Sequence, residues 1–186
     1  MKFDCMVTDP PWPVENNRGT KAGIPGKAYA TMTLPAIKEK LEAAVDNLPS
    51  RGFVALIAPW EFAVWAWEEL FAGLLRRKPA VWDKCNPGLG YGFRRGFEMI
   101  MLWTGPEWKP RSSLPGVLPV PRGHDRYATS KPILLWTYIL EAFAAPGWTV
   151  YDPFAGGGSV GEAARLLGME PILGDVATLI SEVPNE

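Results

Sequence analysis

The sequence predicts an α/β protein built on a doubly wound, mostly parallel sheet. Two observations carry this. Short apolar runs at residues 3–7, 53–58 and 149–151 end in turns rich in proline or glycine, and amphipathic helical rhythms fill the stretches between and after them. With 186 residues, 47% of them hydrophobic, the chain supports one domain over residues 1–186 and leaves little material for a second core.

The first strand, residues 3–7, leads into the turn Asp9-Pro10-Pro11-Trp12. Residues 15–27 are polar and aperiodic, and read as a surface loop or a lid over the neighbouring turn with Asn16, Arg18 and Lys21. Leu34, Ile37, Leu41, Ala44 and Leu48 recur at helical spacing after Thr33. The buried strand at 53–58 ends at Pro59-Trp60-Glu61, and residues 62–75 carry Trp65, Trp67, Leu70 and Phe71 in helical rhythm. Strands at 79–84 and 98–103 flank a hairpin-like loop containing Gly88, Gly90, Gly92, Arg94 and Arg95. Residues 105–129 are rich in proline and glycine and are expected to be irregular and exposed. A helix at 132–144 precedes the strand at 149–151, the glycine turn, a helix at 160–167 and a strand at 171–174; residues 178–183 are a weak final strand.

The Asp9 turn has a chemical reading. The exocyclic amine of adenine or cytosine is a poor nucleophile because its lone pair is delocalised into the ring. Acceptors aimed at its two hydrogens hold it in a more tetrahedral geometry. Asp9 supplies a carboxylate and Pro10 a carbonyl, while the prolines, Pro11 included, stiffen the turn and bring no competing N–H groups. Trp12 offers a ring on which a flipped-out base stacks, worth about 1–3 kcal/mol. The alternative is a proline-rich strand end with Trp12 packed as a core aromatic.

The second motif, Asp152-Pro153-Phe154-Ala155-Gly156-Gly157-Gly158-Ser159, joins strand to helix. Glycines there let the backbone pass close to a ligand beyond the carboxyl ends of parallel strands. Gly156, Gly158 and Gly161 also satisfy Gly-x-Gly-x-x-Gly, with Asp175 as a ribose acid 19 residues on, so a dinucleotide remains an alternative. S-adenosylmethionine fits better: its ammonium and sulfonium welcome Asp152 and Asp9, Asp175 suits its ribose, and an amine site lies elsewhere in the chain.

The two motifs together resemble the S-adenosylmethionine-dependent amino-methyltransferases that modify adenine N6 or cytosine N4. Tyr29-Ala30-Thr31-Met32, Val81-Trp82-Asp83-Lys84, Phe97-Glu98 and Ser130-Lys131-Pro132 resemble the framework of the adenosine methyltransferases related to the messenger-RNA enzymes. The resemblance implies a Rossmann-like sheet in the permuted class I order, with the catalytic motif ahead of the cofactor motif. It makes Ser130 and Lys131 contacts for the cofactor's carboxylate and Phe154, Ala155, Gly156 and Gly158 its cradle. The late glycine motif is closer to bacterial and phage DNA enzymes than to the messenger-RNA branch, and the tryptophan form of the early motif leans toward adenine. The activity it implies is methylation of adenine N6 in DNA; methylation of RNA, cytosine N4 methylation and a non-catalytic binding subunit remain alternatives.

Net charge is only −1, but its distribution is uneven: residues 76–131 hold 11 Lys/Arg against 4 Asp/Glu, and residues 132–186 hold 1 against 7. A basic recognition segment at about 86–130 follows, with Arg94, Arg95, Arg122 and Arg126 as phosphate contacts and Trp60 as a wall of the base site. DNA is the expected partner, and a second copy of the chain is one way to present enough surface. His124 is a lone imidazole in a basic loop, read as a surface residue. It makes no zinc set with Cys5 and Cys85. No run approaches the roughly 20 apolar residues of a membrane span and the N-terminus carries no apolar signal segment, so a cytoplasmic protein is expected.

Overall fold

A computed structural model of the chain describes residues 1–14, 31–87, 92–123 and 131–174. Its elements are β1 (Cys5–Thr8), α1 (Leu34–Val45), β2 (Phe53–Ala58), α2 (Trp60–Glu69), β3 (Leu75–Arg76), β4 (Ala80–Asp83), β5 (Phe97–Thr104), β6 (Val117–Pro119), α3 (Ile133–Phe143), β7 (Thr149–Asp152), α4 (Ser159–Leu166) and β8 (Glu170–Leu173). The sheet runs β6-β4-β5-β2-β1-β7-β8, with β3 also pairing with β5. β1 pairs in parallel with both β2 and β7, and β7 in parallel with β8; β5 alone runs against its neighbours β2, β3 and β4. The mostly parallel, doubly wound sheet read from the sequence is the one found.

Both faces of the sheet are covered, which is why its central strands are apolar throughout. Along β2, Phe53, Ala55 and Ile57 join one core with Trp136, Ile139 and Leu140 of α3 and Ala163 and Ala164 of α4. Val54, Leu56 and Ala58 join the other, with Ile37 and Leu41 of α1 and Ala63 and Ala66 of α2. Thr33 caps α1 by accepting from the N–H of Ala36.

Two expectations change. The helix read over residues 62–75 stops at Glu69, because Leu70 turns extended and Phe71 takes φ 56°. Glu42 accepts the N–H of Phe71 there, and burial of both Leu70 and Phe71 fixes the break. The stretch after residue 105 is not wholly irregular: β6 pairs with β4, Leu118 and Val120 are buried, and Val120 O accepts the Trp82 indole N–H at 2.7 Å. Pro119 is tolerated because β6 is an edge strand. The polar loop at 15–27, His124, Arg126, Ser130, Asp175 and the final strand at 178–183 lie outside the described residues. Among the described residues no helix is long and apolar enough to cross a membrane.

Candidate active site

Parallel pairing of β1 with β7 aligns their carboxyl ends, so the Asp9 turn and the Asp152 turn open side by side. Thr8 donates its hydroxyl to Asp152 Oδ1 at 2.6 Å, and the Phe154 N–H reaches the same oxygen at 3.0 Å. One cleft is lined by Asp9, Lys131, Asp152, Phe154 and the turn residues Ala155, Gly156 and Gly157. The two distant motifs therefore meet in a single crevice, and Lys131 stands in it with them.

The glycine turn has the conformation its composition demands. Gly156 and Gly158 have φ of 48° and 78°, where a side chain would be strained. Gly161 serves packing: a Cβ there would meet Leu173 Cδ1 at 2.9 Å, so this glycine lets α4 lie close to β8. Trp136 of α3 also lines the cleft and fixes Ser159 by donating its indole N–H at 3.0 Å. In the sequence Trp136 sits inside an ordinary helical rhythm, so no local signal marks it as a site residue.

The site's charges are buried. Asp9, with its side chain 17% exposed, binds Lys131 through Oδ2, while Oδ1 has no hydrogen-bond partner among the described residues. Lys131 Nζ also lies 3.4 Å from Glu98 Oε2, and Glu98 Oε1 pairs with Lys84 Nζ at 2.6 Å. Burial pushes the Asp9 carboxyl above its usual range, with Lys131 pulling the other way and Glu98 adding to the rise. Burial also acts on Glu98, but Lys131 and Lys84 outweigh it and hold that carboxyl below the usual value. Asp152, 2% exposed, is pushed up to about 7, chiefly by burial, against the hydrogen bonds from Thr8 and Phe154.

Two parts of the early turn differ from expectation. Trp12 does not present an open stacking face: it is 4% exposed, lies parallel to Phe62 at 5.4 Å, meets Trp65 edge-on, and donates its indole N–H to Ile57 O at 3.1 Å. The cause is the apolar inner face of α2, which offers the indole a better contact than solvent. Pro10 O already accepts the Trp12 N–H at 2.8 Å, leaving one lone pair for a ligand. Pro11 O likewise takes the Met32 N–H.

Trp60, by contrast, is 59% exposed at the carboxyl end of β2 and, with Phe97, Glu98, Lys84 and Arg95, lines a second pocket. Glu98 and Lys131 thus connect two recesses. Arg94 and Arg122 are exposed, and Arg94 lines a shallow neighbouring hollow. Arg95 is exposed too but is engaged by Glu61 at the start of α2.

A recess walled by Trp60 and Phe97, a neighbouring glycine turn with the buried Asp152, and the unpaired Asp9 oxygen fit a small organic cation presented to a second ligand. A family model described as DNA methylase matches residues 63–178, which include the hairpin and the glycine turn but not the Asp9 turn. Comparison with curated proteins gives no match. Among solved structures, M1.HpyAVI in complex with SAM is similar with a TM-score of 0.69 at 19% identity, over 94% of this chain and 83% of that one. PvuII DNA methyltransferase, cytosine-N4-specific, is similar with a TM-score of 0.70 at 12% identity, over all of this chain and 81% of its own. At such identities the likeness is one of fold.

Proposed function

The chain belongs to the N6/N4 DNA methylase family, and from that premise we propose that it transfers a methyl group from S-adenosylmethionine to the exocyclic N6 amine of adenine in DNA. The observation that carries this reading is the meeting of Asp9, with one oxygen unpaired, and the Asp152 glycine turn in one cleft.

Lys131, Asp152, Phe154, Ala155, Gly156 and Gly158 are the described residues that would hold the cofactor, with Ser130 and Asp175 as further contacts outside the described set. An electrophilic methyl group is the chemistry that bound S-adenosylmethionine supplies. Asp9 accepts hydrogen bonds from the target amine and balances the positive charge that develops on it, and the second lone pair of Pro10 O accepts the other hydrogen. Asp9 acts through orientation more than as a strong base, and the proton leaves after transfer. Trp60 and Phe97 wall the recess where the base sits, and Arg94, Arg95, Arg122 and Arg126 hold the DNA backbone. Trp12 supports this arrangement from below by fixing the turn.

Tritiated-methyl transfer to unmodified DNA, with Asp9→Ala as control, tests the reading. Label that depends on Asp9 and is recovered as N6-methyladenine on mass spectrometry supports it. Label recovered as N4-methylcytosine moves the substrate to cytosine, and the absence of transfer to any DNA sinks the assignment.

A further inference from the structure

Glu98 touches neither Asp9 nor the glycine turn, yet it is buried to 7% exposure between two lysines. Asp9, Lys131, Glu98 and Lys84 form an alternating chain of two acids and two bases, and all four side chains are largely covered. Covering four charges costs several kcal/mol of desolvation per ion, partly recovered by their pairing, so the fold retains an expensive arrangement at this place. Lys84 reaches Glu98 from the end of β4, and the antiparallel register of β4 with β5 places Trp82 opposite Glu98.

The chain's geometry leaves Asp9 half committed. One oxygen is tied to the Lys131 ammonium and the other is unpaired, while Glu98 Oε2, also without a hydrogen bond, lies 3.4 Å from the same ammonium. An amine bound at Asp9 competes with Lys131 for the carboxylate, and Glu98 gives the ammonium a second carboxylate to turn to. We propose that Glu98, anchored by Lys84, is a positioning residue for methyl transfer, sharing Lys131 with Asp9 so that Asp9 is freed to hold the target amine. This rests on the proposed function, with Asp9 as the amine acceptor.

Among the described residues, the charged groups facing Asp9 are Lys131 ahead of α3, Glu98 on β5 and Asp152 on β7. Removing the Glu98 charge takes away a repulsion and leaves Lys131 more fully to Asp9. Both changes keep Asp9 ionised to lower pH.

The test combines Glu98→Gln, Lys131→Met and the double variant in tritiated-methyl transfer across pH, with NMR titration of the Asp9 carboxyl carbon in the cofactor-free protein. Glu98→Gln is expected to lower kcat between about tenfold and a hundredfold, with KM for S-adenosylmethionine changed less than about threefold. Its acidic limb and its Asp9 titration are both expected to move to lower pH. Glu98→Asp should restore part of the rate, and Glu98→Gln should add less than about twofold to the loss in Lys131→Met. Because Glu98→Gln leaves Lys84 buried without its partner, Glu98→Gln with Lys84→Met is a second, charge-balanced variant expected to show the same kinetics. Multiplying losses in the double variant, an unmoved Asp9 titration, or a full kcat in the folded charge-balanced variant would overturn the proposal. If the wild-type protein transfers no methyl group, the functional reading fails, whereas the Asp9 titration still decides whether Glu98 shares its cation.

Discussion

Thr8 and Asp152, separated by 144 positions in sequence, are joined by a 2.6 Å hydrogen bond between fully covered side chains at the ends of adjacent strands. The bond spans the seam between the two motifs. It also supplies Asp152 with one of the two donors that oppose the effect of burial on its carboxyl.

Thr8→Val keeps the shape and removes the donor. Loss of a buried hydrogen bond to a group left in place is expected to cost about 1–3 kcal/mol, seen as a lower midpoint in urea at unchanged m-value. Asp152 should titrate still higher in this variant. Unchanged stability would mean that the bond contributes nothing.

Asp152 titrates near 7 in the folded chain and in the usual carboxylate range when unfolded, so the folded state binds the extra proton between these values. A raised carboxyl contributes stability that is complete below the unfolded value and lost as pH rises through 7. Thermal midpoints of the ligand-free protein should therefore fall from pH 5 toward pH 8 by this group's contribution, and Asp152→Asn should flatten that slope. A cationic cofactor prefers the ionised form, so its affinity should move the opposite way. The ionised fraction rises from about a tenth at pH 6 to about nine-tenths at pH 8, and calorimetric Kd for S-adenosylmethionine should tighten by nearly that ratio. A Kd that weakens over the same interval would contradict the role given to Asp152.

Much of this was legible in the chain because strand ends announce themselves. Apolar runs broken by Asp-Pro-Pro or by glycines mark where parallel strands stop, and Asp9 and Asp152 are found at such stops, on neighbouring strands. What was hidden depends on long-range packing. Nothing local distinguishes the buried Trp12 from the exposed Trp60; the inner face of α2 decides between them. Glu98 and Lys84 read as framework residues, and their significance arises only when antiparallel pairing of β4 with β5 brings them to Lys131. The early end of α2 reflects the positive φ of Phe71, which periodicity does not register.

The two tryptophans should separate experimentally. Trp12→Ala empties a packed site against Phe62 and Trp65 and is expected to destabilise the fold by about 3–5 kcal/mol. Trp60→Ala removes an exposed ring and should leave stability within about 0.5 kcal/mol. If Trp60 stacks on the target base, its removal should weaken DNA binding by about thirtyfold, at the middle of the range for base stacking. Equal effects of the two changes on stability would contradict the burial difference.

The pairing of Arg95 with Glu61 makes an unusual forecast, because removal of an acid should improve DNA binding. Arg94 and Arg95 project from the hairpin, and each phosphate neutralised by such a cation adds about 0.9 to the slope of log affinity against log salt. If Arg95 contacts a phosphate as proposed, it exchanges Glu61 for that phosphate on docking, and a carboxylate beside the DNA repels the backbone in any case. Glu61→Gln should therefore tighten binding at low salt and steepen the salt dependence, whereas Arg94→Gln should weaken binding and reduce the slope by about one. Since the Glu61 pair is largely exposed, its loss should leave the thermal midpoint nearly unchanged, which separates the electrostatic effect from a folding defect. Fluorescence anisotropy of a labelled duplex across a salt series measures both quantities, and weaker binding by Glu61→Gln would rule out a DNA-facing role for this edge of the hairpin.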